Sequence, residues 1–196
     1  RMEYKHFAGF YDFPSYEEMK NRAEKAIDGD DQWYIVQTDG GSWVVWKASE
    51  PSVGKSKTFQ TRREAVCFLR IEFEESGLPE ENWMIEEPEL PALMGSPKQV
   101  AWADEIRLEV LRLLDRCREV VKRAAPEKWA RVRNEYRTAR QWVYREVLAA
   151  ELIHRFRFIT ARKPDWQKIE DLKKGFQDRR LFNLAGRYWT DVTGEG

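Results

Sequence analysis

The sequence predicts an α+β protein: a small antiparallel sheet with two helices, followed by an all-α antiparallel helical hairpin with extra short helices. Three observations carry this. Residues 33–47, WYIVQTDGGSWVVWK, hold two apolar runs around Asp39-Gly40 and read as a β-hairpin, because Asp-Gly supplies the positive φ angles of a primed turn. Three Ser/Thr-x-x-Glu/Gln pairs mark helix starts: Ser15 with Glu18, Thr61 with Glu64 and Ser96 with Gln99. Beyond Ser96 the apolar residues recur every three or four positions, the period of an amphipathic helix.

In chain order, Glu3–Phe10 is a strand candidate. A helix follows from about Tyr16 to Asp28, with Tyr16, Met19, Ala23, Ala26 and Ile27 on one side and Gly29 as its stop. The hairpin strands are Trp33–Thr38 and Trp43–Ala48. A second helix spans about Arg62 to Glu75, with Ala65, Phe68, Leu69 and Phe73 inward, stopped by Gly77 and Pro79. Asn82–Glu87 is the last strand candidate. The order strand, helix, strand, strand, helix, strand is that of the ferredoxin-like split βαβ fold. A plainer alternative is a three-stranded meander with Lys57–Phe59 as its third strand and one helix across it.

Residues 1–87 form this first domain, and 88–95 are read as a linker within the Pro/Gly-punctuated EEPELPALMG. The second domain, 96–196, is helical. Ser96 caps a long helix with Pro97 in its first position and a stripe of Val100, Ala103, Ile106, Val110, Leu113, Cys117, Val120 and Ala124. Pro126 opens the next, lined by Trp129, Val132, Tyr136, Ala139, Val143, Val147 and Ala150, and the short connection makes the two antiparallel. Pro164 starts a short helix with Trp166, Ile169 and Leu172, ended by Gly175. Leu181 to Trp189 docks on the bundle through its apolar residues.

The 42% hydrophobic and 13% aromatic content describes a folded chain, and no run is long and apolar enough to span a membrane. Cys67 and Cys117 both lie on apolar stripes, which predicts buried thiols in a reducing, cytoplasmic setting. Net charge is zero but segregated. Residues 1–95 carry 11 Lys/Arg and 19 Asp/Glu, a net −8, while residues 96–196 carry 23 and 15, a net +8.

Catalytic and metal signatures are missing, so no enzyme, cofactor or metal is expected. Gly54-Lys55-Ser56 ends like a phosphate-binding loop, but Ser49 stands where the motif needs glycine. The two histidines, His6 and His154, are far apart with no ligand spacing around them. WVVW on the second hairpin strand is preceded by Asp39, Gly40 and Gly41 where an RNA-reading sheet needs a basic residue and a further aromatic, so only Trp43 could stack on a base, and it sits in the acidic half.

Two segments resemble known families. DGGSWVVWK with FQTRREAVCFL resembles small bacterial hairpin–helix domains in which a DGGW-type hairpin precedes a T-x-x-E-A helix; here Ser42 is inserted before Trp43. LMGSPKQVAWADEIR resembles the GS-x-KQ-x-x-WA-x-x-IR segment of bacterial, plasmid and phage proteins, with Pro97 in place of the usual acidic residue. Neither family carries an assigned chemistry; the second implies a phage or mobile-element setting.

The expected function is therefore a non-enzymatic protein-binding module, a phage or mobile-element regulator or inhibitor of a host protein complex. Its candidate apolar interface is the hairpin face that the two helices leave open, with Trp33 and Trp43 on one side of the sheet and Tyr34 and Trp46 on the other as candidates, expected to be buried by the helical half, a homodimer or a partner. Nucleic-acid binding by the basic half is the alternative. Arg133, Arg137, Arg140 and Tyr144 share one flank of a helix, and HRFRFI adds Arg155 and Arg157 between aromatics. The same arginines are candidate contacts for an acidic partner.

Overall fold

The computed structural model describes residues 2–196 and falls into two compact units, one ending at Glu89 and one spanning Leu90–Gly196. The first unit is α+β and the second is all α. In the first lie helices α1 (Met2–Phe10) and α2 (Tyr16–Arg22), strands β1 (Glu24–Lys25), β2 (Trp33–Gln37), β3 (Trp43–Lys47) and β4 (Lys57–Phe59), and helix α3 (Arg62–Glu75). The strands follow one another in the order β1-β2-β3-β4, each antiparallel to the next.

This meander replaces the ferredoxin-like arrangement, and two local readings account for the difference. Glu3–Phe10 is helix rather than strand: Phe7 and Ala8, adjacent on a helical face, are both buried, while Phe10 is exposed. Nine residues with apolar groups at both spacings do not separate the two periods. The helix from Tyr16 ends at Arg22 because Ala23 turns extended at φ −83°, ψ 149°. Ala26 then donates its N–H to Trp33 O at 2.8 Å, so that Ala26 and Ile27 serve the sheet instead of a helix. Asn82–Glu87 contributes only a single bridge, Ile27 to Trp83.

The hairpin turn also differs from the primed form. Gly41 donates to Thr38 O at 2.9 Å and carries φ +94°, while Asp39 and Gly40 keep negative φ. This is a three-residue loop, a tight turn followed by one left-handed residue, and Gly41 meets that need without a Cβ penalty. Helix α3 matches the expected span, with Thr61 Oγ1 accepting from Glu64 N–H and Gly77 at φ +69° beyond its end.

Register explains the two apolar hairpin faces. Tyr34 pairs with Trp46, and Val36 with Val44, so these four point one way; Ile35 with Val45, and Gln37 with Trp43, point the other. The first face packs on Phe7, Ala8, Phe13 and Met19 from the α1–α2 region. The second packs on Ala65, Leu69 and Phe73 of α3, with Ile27 and Ile85. Both faces are thus covered inside the unit. Removing an indole the size of Trp46 from water is worth about 5 kcal/mol for roughly 200 Å² of apolar surface.

The second unit comprises α4 (Pro97–Ala124), α5 (Pro126–Arg145), α6 (Ala149–Phe156), α7 (Asp165–Gly175) and α8 (Arg180–Thr193), with α4 packed against all the others. Its stripe from Ala103 to Val121 is buried. Ser96 and Gln99 form the reciprocal cap. Helix α5 stops at Arg145, since Glu146 is extended, and Val147 and Ala150 are exposed rather than part of its stripe. Trp166 is also exposed, at 43%.

The segment after Glu89 belongs to this unit. Met94 donates to Val147 O at 2.7 Å and accepts from Ala149 N–H at 3.0 Å, while buried Arg107 donates to Pro91 O at 2.5 Å. Cys67 and Cys117 are buried free thiols. No helix among the described residues is long and apolar enough to cross a membrane.

Candidate functional site

The proposed apolar interface does not stand open. Trp46 is fully buried on the α1–α2 side, its Nε1–H donating to Tyr16 Oη at 3.0 Å, and Tyr34 stacks on it with centroids 5.1 Å apart. Trp33 and Trp43 are half-buried against the α3 side of the sheet. The uncovered face expected from the sequence is therefore corrected by the α1–α2 helices, one of which the sequence reading took for a strand.

The arginine flank of α5 is not a continuous exposed ridge either. Arg133 is exposed and Arg137 half-buried, but Arg140 ion-pairs with Asp115 of α4 at 2.9 Å. Tyr136 Oη donates to the same carboxylate oxygen at 2.7 Å. The Arg140 guanidinium also lies 5.7 Å from the centroid of Tyr144, which is buried. Arg157 is exposed beside exposed Phe158. Arg155 lines a cleft together with residues of α5 and of the segment that leads into α8.

That cleft, about 480 Å³, opens along the opposite flank of α5. At about 100° per residue, Glu135, Thr138, Trp142 and Arg145 fall on the side of the apolar stripe away from Arg133 and Arg137. The facing wall is the segment from Phe176 to Phe182, held by a cluster of rings. Phe176 meets Trp142 edge-on at 5.8 Å, stacks with Phe182 at 5.9 Å and touches Phe156 at 5.0 Å. Gly175 makes this turn possible, because a Cβ there would overlap the Phe156 ring.

The two ends of the cleft differ in charge. At one, the Arg155 guanidinium lies 4.6 Å from the Trp142 centroid while its Nε donates to Glu151 at 2.8 Å, and Arg145 is exposed beside it. At the other, buried Glu135 accepts the Leu181 N–H at 2.7 Å, satisfying an orphan donor in the first turn of α8. Arg180 Nε sits 2.8 Å from the other Glu135 oxygen, and Arg180 also holds Asp178 at 3.0 Å. Burial pushes the Glu135 carboxyl above the usual carboxylate range, while the Arg180 guanidinium draws Asp178 below it.

Two carboxylates side by side invite an acid–base reading. Here Glu135 takes the Leu181 N–H of α8's first turn and Asp178 is held by Arg180, so both carboxylates help to order the cleft wall. Both histidines are exposed. Among the described residues no group of three or more His, Cys, Asp or Glu is placed to hold a metal. The arrangement fits binding: an aromatic wall, cations at one mouth and an acidic far end.

The GS-x-KQ segment proves mostly architectural. Gly95 approaches Ala149 so closely that a Cβ would lie 3.1 Å from the alanine's own, Ser96 and Gln99 cap α4, and Arg107 clamps the incoming segment at Pro91. The sequence reading missed Glu135, Trp142, Arg145, Phe176, Asp178 and Arg180. One signal was present: Trp142 lies off the apolar stripe of α5, where a large indole needs another partner. Comparison with family models, curated proteins and solved structures finds no match for this chain.

Proposed function

We propose that this chain is a non-enzymatic protein-binding module whose helical unit receives a segment of a partner protein in the cleft beside α5. The observation that carries the reading is the cleft itself, with half-exposed Trp142 and an arginine mouth on a unit of net charge +8. Tryptophan and arginine in a concave site are the side chains that concentrate binding energy at protein interfaces. The resemblance to plasmid and phage proteins supports a regulatory or inhibitory role in such a setting. Capture of a partner that Trp142→Ala abolishes and Trp166→Ala leaves intact is the expected result. Capture indifferent to Trp142 overturns the assignment to this cleft.

Nucleic acid is the second reading, favoured by a separate, partly exposed basic cluster. Lys128 Nζ lies 3.1 Å from Tyr188 Oη, and Lys128 with Arg187 draws that phenol's pKa down. Binding of mixed-sequence DNA or RNA that weakens tenfold or more between about 50 and 200 mM salt supports it, as several phosphate contacts require. No binding at the lower salt removes it.

A further inference from the structure

Resting on the protein-binding reading, we infer that the cleft selects an acidic segment of its partner: an internal Asp or Glu between Arg145 and Arg155, with a neighbouring large apolar side chain against Trp142 and Phe176.

Four features converge on this chemistry. The first is the state of the two arginines. Arg145 makes no ion pair or hydrogen bond among the described residues, although it lines the cleft. Arg155 is held in place on both sides, by the Trp142 ring below it and by Glu151 at 2.8 Å, so its guanidinium is oriented before any ligand arrives. An oriented guanidinium beside a second, uncommitted one is a carboxylate site, since planar forks match carboxylate oxygens in pairs.

The second feature is the wall next to them. Trp142 remains half-exposed even though Phe156 and Phe176 meet it edge-on. A side chain placed beside the acid therefore reaches apolar surface without leaving the cleft. The third is the set of small polar groups along the rim. Asn134, Thr138 and Gln177 line the cleft, are exposed, and make no side-chain hydrogen bond among the described residues, so they are available to the backbone of an extended segment. The fourth is charge. Residues 90–95 are uncharged, so the whole helical unit carries the +8 counted for residues 96–196, and an acidic partner is steered towards it.

Asp178 at the far end sets polarity. An acid placed there meets the carboxylates of Asp178 and Glu135 against the one guanidinium of Arg180, whereas an acid at the Arg145 mouth meets the guanidinia of Arg145 and Arg155 against the one carboxylate of Glu151. The segment should thus carry its acid at one end of the contact and a neutral or basic residue at the other.

The test uses the full chain and a pair of blocked peptides, Ac-Lys-Ser-Phe-Glu-Glu-NH2 and its reversal of charge, Ac-Glu-Ser-Phe-Lys-Lys-NH2, titrated while the indole N–H resonances are followed by NMR. The Trp142 resonance is assigned by its loss in Trp142→Phe. The acidic-ended peptide is expected to shift that resonance and to bind at least tenfold more tightly than the reversed one, with Arg145→Glu reducing affinity at least tenfold. Arg145 is exposed, so this variant keeps the fold, which circular dichroism checks. Equal binding of the two peptides, or an Arg145→Glu variant that binds as wild type does, overturns the acidic assignment. So does the lack of any shift with either peptide. The broader reading fails differently: if partner capture needs Trp142 but ignores Arg145→Glu, a protein docks in the cleft and the acid is not what it recognises.

Discussion

The indole N–H of Trp46 donates to the phenolic oxygen of Tyr16 across 3.0 Å, joining the middle of the sheet to α2. Trp46 has no exposed surface, so this is the one polar atom of a buried ring and Tyr16 is its partner. Tyr16→Phe removes the acceptor while keeping the ring contacts with Phe7 and Trp46. The expected cost is about 1–3 kcal/mol, the penalty for stranding a buried donor. Urea denaturation measures it; a loss under a few tenths of a kcal/mol means that the α1–α2 cover over this face is looser than the structure describes.

Two glycines of the helical unit should respond to alanine with opposite signs. At Gly175 the new methyl collides with the Phe156 ring, and the cleft wall must shift; a loss of about 1–3 kcal/mol is expected. At Gly186, inside α8, a Cβ meets nothing within 4 Å. Alanine there should gain about 0.5–1 kcal/mol by helix propensity. Thermal unfolding of both variants reads the contrast directly, and the same sign for both would contradict it.

Acid should weaken α7's attachment to α4. Asp165, in the first turn of α7, takes hydrogen bonds from Arg112 and Arg116, and these hold its pKa down at about 2. A depressed carboxylate contributes stability that is present above its unfolded value near 4 and is lost as pH falls through about 2. With solvent screening at this partly open site the contribution is about 1–2 kcal/mol. Asp165→Asn should therefore trail wild type by that margin at pH 7, with the gap closing between pH 4 and 2. A gap that stays constant over that range sinks the account.

Cys117 is wholly buried on α4, and burial pushes its thiol pKa up to about 12. Alkylation by iodoacetamide at pH 8 should proceed at this position only as fast as the second unit opens. Prompt labelling of native protein, mapped by mass spectrometry, would show that the α4 stripe is accessible.

Much of the architecture follows from short-range chemistry. Each of the three caps is found where its Ser/Thr-x-x-Glu/Gln pair stands, because a side chain reaching a backbone donor three residues on needs no tertiary partner. The α4 stripe and the α3 span are legible for the same reason. Where the reading failed, competing local patterns were decided at a distance. Residues 3–10 are helical since Phe7 and Ala8 meet Trp46's side of the sheet, and the stretch after Arg22 is extended since β2 offers it an edge. Trp46 lies far from α1 in sequence, and β2, though nearer, comes into reach of β1 only once the intervening loop has turned back.

The candidate site divides in the same way. Charge segregation and the arginines of α5 and HRFRFI stand in the sequence unaided, since composition is additive along the chain. Which arginine faces a cleft and which is tied to Asp115 depends on how α4 and α8 flank α5. Glu135 and Leu181 are joined by a hydrogen bond across 46 positions, and Trp142 and Phe176 by ring packing across 34. Local hydrogen bonding and periodicity dictated the helices and the +8 surface; burial, which sums over neighbours far apart in the chain, chose the covered sheet face and built the cleft.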